Sequence, residues 1–589
     1  VKFRKRPRRP EDHDESRRPI DGRLVGRLWR YTRPHARTRN WLFLLTIQRS
    51  LCIPAIGWGV GHVLGGPIAH ADATGTALAV AGFAALLVFT ELTFVFRIRL
   101  ALGLGEALVH DLRRDLFAHL IEMPMAFFHR TSMGRIISRL TSDVENVRLG
   151  IQDSVFIGVV QIGTMLGAAA VMAWLDVVLF AAVLGLVPVL WALLRFFHRR
   201  LYVAYQDMHE SFTRVTSNLA ETVGGIRVIQ GFGRGERARE DFRALIYDHS
   251  GYNLRVARTN AVFAPLLELN GQLFLAVLLV LGGWRVLGGQ AQVGDLITFL
   301  FLANLFFNPI PVLANQYNQA LAAMAAAERI FRVLDTPRAW DDPQDAVRLP
   351  AIRGDVELRH VTFGYEPGRA VLHDVSFRVQ PGQTVALVGE TGGGKSTILS
   401  LIAKFYLPDA GAVLVDGCDL AGVARSSLRR QMGIVQQTNF LWSASVLDNI
   451  RFGRPEASAE DVRAAARALD VLDLLEDLPQ GLDTSVGERG ASLSLGQRQI
   501  VCFTRAMLAN PRLLLLDEAT SAVDAMTEAR LQRALARLLA ERTSFVVAHR
   551  LSTIRHADLI LVISAGRIVE QGRFGELIAA AGPFAALHR

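Results

Sequence analysis

The strongest constraint on this chain is a set of six apolar stretches of bilayer length, all within its first 320 residues. They cover 41–64, 76–98, 151–174, 177–197, 259–281 and 294–317. Each is close to the roughly 20 residues that cross about 30 Å of hydrocarbon as an α-helix. Buried helices of soluble proteins rarely stay so apolar for so long, so six membrane spans are predicted. Composition agrees: with 51% apolar and 20% charged residues among 589, a string of soluble domains would lack polar surface. A mean hydropathy of +0.26 also excludes disorder. Three scattered cysteines, Cys52, Cys418 and Cys502, exclude a disulfide scaffold.

A net charge of +10 first suggests a nucleic-acid partner. Residues 1–40, however, carry 14 Lys+Arg against 5 Asp+Glu, which is nearly the whole excess. The rest of the chain is close to neutral, so no basic groove and no nucleic acid are implied. Residues 1–40 read as a disordered basic tail beside an anionic leaflet. The tail mixes Arg with Asp/Glu and has no small-residue cleavage site, unlike a secretory signal peptide. Val1 in place of Met points to an alternative start codon or a trimmed terminus.

Charge asymmetry between the loops sets orientation. The loop 99–150 holds Arg99, Arg113, Arg114, Arg130, Arg135, Arg139 and Arg148, and 198–258 holds ten arginines. The opposite connections (65–75, 175–176 and 282–293) hold one basic residue, Arg285. Both termini and the two long loops are therefore expected in the cytoplasm, with the chain in the cell (inner or plasma) membrane. The long loops keep helical periodicity and are read as helices extending past the bilayer. The domains predicted are a basic tail (1–40), a membrane domain (41–334), a linker (335–350) and a nucleotide-binding domain (351–589). In the linker region 334–350, three prolines and four aspartates interrupt any apolar period. Beyond it, β-branched runs alternate with helical patterns, the signature of a mostly parallel α/β domain.

The most specific local motif is Gly389-Glu390-Thr391-Gly392-Gly393-Gly394-Lys395-Ser396-Thr397. It follows a strand-like run at 384–388 and opens a helix, as a phosphate-binding P-loop (Walker A) requires. Its glycines let successive N–H groups turn inward, and the helix N-terminus favours an anion. Lys395 is expected to reach the β- and γ-phosphates of a nucleotide, and Ser396 to bind Mg²⁺. Further on, Leu513-Leu514-Leu515-Leu516-Asp517-Glu518 reads as a doubly buried strand with carboxylates at its tip. Asp517 fits a partner of the Mg²⁺ shell, and Glu518 a base that polarises water.

ATPases and GTPases share those parts; Ala491-Ser492-Leu493-Ser494-Leu495-Gly496-Gln497-Arg498-Gln499 separates them. It resembles the LSGGQ signature of ATP-binding cassette (ABC) proteins, with Leu495 where the family usually has Gly. With six spans ahead of one cassette, the whole chain resembles an exporter-type half-transporter of the multidrug/lipid class. The fold class implied is an all-α six-helix transmembrane bundle followed by an α/β P-loop cassette. The resemblance further implies that Tyr365 stacks on adenine and that Gln437 is the Q-loop glutamine bridging Mg²⁺ and the membrane-domain contact. Asp524 then belongs to the D-loop, and His549 is the switch histidine near the γ-phosphate. Ser494, Gly496 and Gln497 would contact nucleotide held by a second chain, the same or a homologous one. The segment Met123–Phe128 followed by Gly134–Leu140 resembles the first intracellular loop, with its tip expected near 141–147. Residues 220–227 resemble the second.

Ionisable groups inside spans are costly and need a reason. Arg49 and Glu91 are expected to pair. Asn304, Asn308, Asn315 and Gln319, with Glu268 and Gln272, are expected to face the bundle interior. Pro309 and Pro311 mark a kink. The function these features imply is ATP-driven export or flipping of an amphipathic, lipid-like or drug-like substrate by alternating access. An exporter-fold importer, for example of a metal chelate, and a nucleotide-gated channel-like protein remain the alternatives.

Overall fold

The computed structural model describes residues 21–338, 342–343, 345–517, 525–548, 551–580 and 582–588. These fall into two units. One runs to Ala118 and resumes at Gly134–Thr336; the other joins His119–Met133 to the chain from Pro337 onward.

Helices build the first unit. In chain order they are α1 (Gly22–Tyr31), α2 (Ala36–Val63), α3 (Ala73–Ile121), α4 (Met125–Arg130), α5 (Met133–Ser138) and α6 (Val144–Leu149). Then come α7 (Phe156–Leu175), α8 (Val177–Gly224), α9 (Ile226–Gly231), α10 (Gly235–Leu287), α11 (Val293–Phe307) and α12 (Pro309–Leu334). Of these, α4 belongs to the second unit. Six helical runs among the described residues are long and apolar enough to cross a membrane: 36–68, 73–121, 133–175, 177–224, 235–287 and 293–334. Each contains one predicted span, and most extend well past it. At 53 residues, α10 is about 80 Å long.

Close backbone approach holds the bundle together. Gly57, Gly61 and Gly65 recur every four residues, and a Cβ at Gly65 would stand 2.7 Å from the Cα of Gly294. Without a hydrophobic drive between helices in lipid, such small-residue seams supply the packing. Beyond the seam, Phe299, Leu302 and Ala303 of α11 pack with Phe274, Leu278 and Met172 in a buried cluster. At the tight α7–α8 turn, Asp176 caps α8 by accepting from the Val178 and Leu179 amides and also takes Arg285 Nε at 2.7 Å. Arg49 and Glu91 do pair, at 3.7 Å.

Two expectations are corrected. Residues 22–31 form a helix rather than disordered tail: Leu28 is buried, and Arg27 forks onto Asp335 at 2.6 and 2.8 Å while lying over the Phe331 ring. Counting charge hid an amphipathic pattern, Leu24, Val25, Leu28 and Trp29, on one side of that helix. The first loop does not turn near 141–147. There Val144 and Val147 are fully buried, and Asp143 is held by Arg139 at 2.7 Å and Arg329 at 2.5 Å. The chain turns instead at 122–124, where Pro124 caps α4 and stops any continuation of α3. The kink that Pro309 and Pro311 mark is present: the sixth helical run divides at Asn308 into α11 and α12, where the two prolines remove amide donors.

Among the described residues the second unit carries ten strands: β1 (Val356–Phe363), β2 (Leu372–Val379), β3 (Thr384–Gly389), β4 (Ala410–Val415), β5 (Cys418–Asp419), β6 (Met432–Val435), β7 (Leu513–Asp517), β8 (Thr543–Val547), β9 (Leu559–Ser564) and β10 (Arg567–Gly572). An antiparallel sheet orders them β2-β1-β4-β5, and a larger sheet β10-β9-β3-β8-β7-β6. The larger sheet is parallel except for its β10 edge. Alternate side chains of β7 feed two different cores. Leu513 and Leu515 join the core shared with β1 and β2, while Leu514 and Leu516 join a helical core on the opposite face.

Candidate nucleotide site and membrane cavity

The phosphate loop hangs from the C-terminal end of β3, where parallel α/β sheets bind ligands. Gly389 takes φ +146°, and a Cβ there would overlap the Ile563 carbonyl, so only glycine permits this turn. The helix α13 (Lys395–Ile402) starts directly after left-handed Gly394. Lys395 is buried, and its Nζ donates to the carbonyls of Gly389 at 2.8 Å and Glu390 at 2.7 Å. Burial pushes this ammonium below its ordinary pKa, and the Asp517 carboxylate partly opposes that shift. Thr391, Gly392 and Ser396 are exposed along the same loop, while Gly393 and Thr397 are buried.

Asp517 ends β7, and Gln437 lies exposed two residues past β6, the neighbouring parallel strand. Lys395, Asp517 and Gln437 thus share the C-terminal edge of one sheet. Glu518, Asp524 and His549 lie outside the described residues. Tyr365 reaches the loop helix through its hydroxyl, 3.1 Å from Thr397 Oγ1. A glycine cradle, a buried ammonium, the exposed Ser396 hydroxyl and the Asp517 carboxylate are together a donor set suited to a magnesium–nucleotide.

The signature sits elsewhere. Its helix spans Leu495–Ala509, with Ser494 as N-cap in a reciprocal capping box. Ser494 Oγ accepts from the Gln497 amide at 3.2 Å, and Gln497 Oε1 accepts from the Ser494 amide at 2.8 Å. Gly496 is buried beneath them. Ile500, Val501 and Phe503 of this helix lie in the core of Leu514 and Leu516, whereas Ile398, Leu401 and Ile402 of α13 lie in that of Leu513 and Leu515. Phosphate loop and signature therefore pack on opposite faces of the sheet.

In the first unit, α8, α10, α11 and the start of α12 enclose a cavity of about 480 Å³. Glu268, Gln272, Asn304 and Asn308 all line it, as their spacing predicts; Asn315 and Gln319 do not. Asn270 also lines it, although it lies off the Glu268–Gln272 face.

A model of the ABC transporter transmembrane region matches residues 41–310, and a model of the ABC transporter cassette matches 372–521. The ATP-dependent lipid A-core flippase of Aromatoleum aromaticum is 38% identical over 499 residues, covering 84% of this chain and 81% of its own. The chain belongs to the ABC exporters. A fatty acid ABC transporter of Mycobacterium bovis is also 38% identical, over 81% of this chain and 75% of its own. The solved structure of a bacterial Atm1-family ABC exporter with ATP bound matches with a TM-score of 0.74 at 28% identity, covering 96% of this chain and 98% of that one.

Sequence reasoning missed how closely α4 joins this exporter's cassette. Arg130 Nη2 donates to the Tyr365 carbonyl at 3.1 Å, and His129 Nδ1 lies 2.7 Å from the Tyr406 hydroxyl. The Tyr406 ring meets the Tyr365 ring edge-on at 5.2 Å, and burial raises the Tyr406 phenol to about 12. The aromatic assigned to adenine thus shares its surroundings with the intracellular loop. The sequence signal was present in Phe405-Tyr406 and His129-Arg130. Nothing local links them.

Proposed function

We propose that this exporter couples ATP hydrolysis to moving an amphipathic substrate across or between bilayer leaflets, and that it works as a dimer. The observation carrying this reading is the placement of the phosphate loop and the signature on opposite faces of one sheet. A signature so placed serves a nucleotide held by another cassette, and a chain with one cassette then needs a partner chain. Lys395 and the loop amides hold the β- and γ-phosphates, and Ser396, Gln437 and Asp517 hold Mg²⁺. When bound, that ion supplies Lewis-acid charge to the phosphoryl oxygens. Glu518 takes the proton of the attacking water, and His549 senses the γ-phosphate. Ser494 acts across the dimer while still capping its helix. Through α4, the aromatic pair Tyr365 and Tyr406 links nucleotide occupancy to the intracellular loop. The arginine-rich long loops support a cytoplasmic cassette.

Mixed dimers test the pairing. Lys395→Ala and Ser494→Asp, each inactive alone, are co-expressed with different tags and the doubly tagged dimer is purified. One composite site then has an intact loop from one chain and an intact signature from the other, so hydrolysis should return well above either parent. Two broken sites and no recovery would show that each chain completes its own.

A further inference from the structure

Among the described residues, the membrane cavity carries one charged side chain, Glu268, among the amides Asn270, Gln272, Asn304 and Asn308. Glu268 stands on α10, nine residues inside a predicted span that opens at Thr259 and about 13 Å along the helix axis. An ionisable group at that depth is costly and is kept for a partner. Among the described residues, none forms an ion pair or hydrogen bond with Glu268, and no Lys or Arg lines the cavity. Arg49, which could have neutralised a carboxylate, is engaged with Glu91. Arg285 is engaged with Asp176.

Neighbouring amides add to the same bias. Asn304 donates its Nδ2 to the Leu300 carbonyl at 2.9 Å, which leaves its Oδ1 as the free end. Asn270 is only 8% exposed, and its Oδ1 has no hydrogen-bond partner. A buried acceptor left unfilled is a cost that a donor-bearing ligand removes. The lining also carries apolar side chains, among them Leu190, Leu194, Phe274 and Phe307.

A carboxylate as the one charge of the described lining, with the acceptor oxygens of Asn270 and Asn304 near it and apolar side chains around them, forms a receptor for a cation that carries N–H donors on a hydrophobic body. We infer that this exporter's cavity selects amphipathic cations with an ammonium or guanidinium head, Glu268 supplying the charge recognition, and discriminates against amphipathic anions. This rests on the reading of the cavity as the substrate site. A phosphate or carboxylate head would meet the like charge of Glu268, and among the described residues of this chain no Lys or Arg lines the cavity to offset the repulsion.

Three probes with one tail and different heads test the inference: dodecylguanidinium, dodecanol and dodecyl phosphate. Each is equilibrated with the full-length chain in phosphatidylcholine nanodiscs, with protein-free nanodiscs as the partition blank. Dodecylguanidinium should bind about tenfold or more tighter than dodecyl phosphate, with dodecanol between them. Glu268→Gln should bring guanidinium and phosphate to within about twofold, whereas Glu268→Asp, which keeps the charge, should preserve the order. Glu91→Gln, outside the cavity, should preserve it too. Dodecyl phosphate binding as tightly as dodecylguanidinium, or an order unmoved by Glu268→Gln, overturns the inference. ATP hydrolysis by the same nanodiscs separates the two levels. Selective cation binding that leaves hydrolysis unchanged keeps the site and sinks the transport reading; no binding by any probe sinks both.

Discussion

The cassette and the membrane bundle solve binding in opposite ways. In the cassette, one contiguous stretch, Gly389–Thr397, shapes the phosphate cradle from backbone amides, and its lysine folds onto the loop's own carbonyls. In the bundle, the cavity takes side chains from four helices spread over more than a hundred residues of sequence, from Leu190 to Pro311. Backbone recognition of phosphate tolerates little change in sequence, because each glycine is fixed by geometry. Side-chain recognition in the cavity is free to vary with the cargo. This contrast fits relatives that share a cassette and carry names as different as fatty acid transporter and lipid A-core flippase.

Replacing Lys395 with Ala attacks the cassette side and should give the largest effect. The buried ammonium is the one fixed positive charge of the loop, and losing such a preorganised group costs about 10²–10³-fold in turnover. Steady-state phosphate release should fall by that factor, while the thermal midpoint of the bundle stays where it is. A fall of less than about tenfold would mean that the loop amides carry the phosphates unaided.

The bundle side breaks at its glycine seam. Leu at position 65 would drive a branched side chain into the backbone at Gly294, and overpacking of this kind costs about 1–3 kcal/mol. Thermal unfolding of purified Gly65→Leu should move down by several degrees, and nucleotide binding by the same full-length variant should not change. A wild-type melting curve would show that α2 and α11 separate at no cost.

These two sites also differ in how far the sequence reveals them. The six spans, the phosphate loop and the kink at Asn308 follow from local rules: length of apolar run, glycine pattern, proline placement. The polar cavity residues Glu268, Gln272, Asn304 and Asn308 follow from helical spacing, but Asn270 does not, because the cavity wraps partly around α10. The turn of the first loop was misplaced because the segment 141–147 looks like a solvated amphipathic helix until Arg329, from almost two hundred residues away, closes on Asp143. The contact of His129 with Tyr406 was illegible for the same reason: it depends on tertiary placement and leaves no period in the chain.

The signature serine separates stability from chemistry, and its effect on folding should be the smallest. Ser494 caps the helix Leu495–Ala509, and an N-cap serine replaced by Ala costs about 1 kcal/mol. Asp caps about as well as Ser, so Ser494→Asp should recover the melting temperature that Ser494→Ala loses. It should not recover hydrolysis, since a carboxylate would then face the γ-phosphate of the opposing site. If Ser494→Asp hydrolysed ATP like the unmodified chain, the serine would be a helix cap and nothing more. The two-chain site would then have to be rebuilt from Gly496 and the amides of the helix N-terminus. A stable but inactive Ser494→Asp makes the opposite case: the cassette, unlike the bundle, has placed a folding determinant and a reaction determinant on the same oxygen.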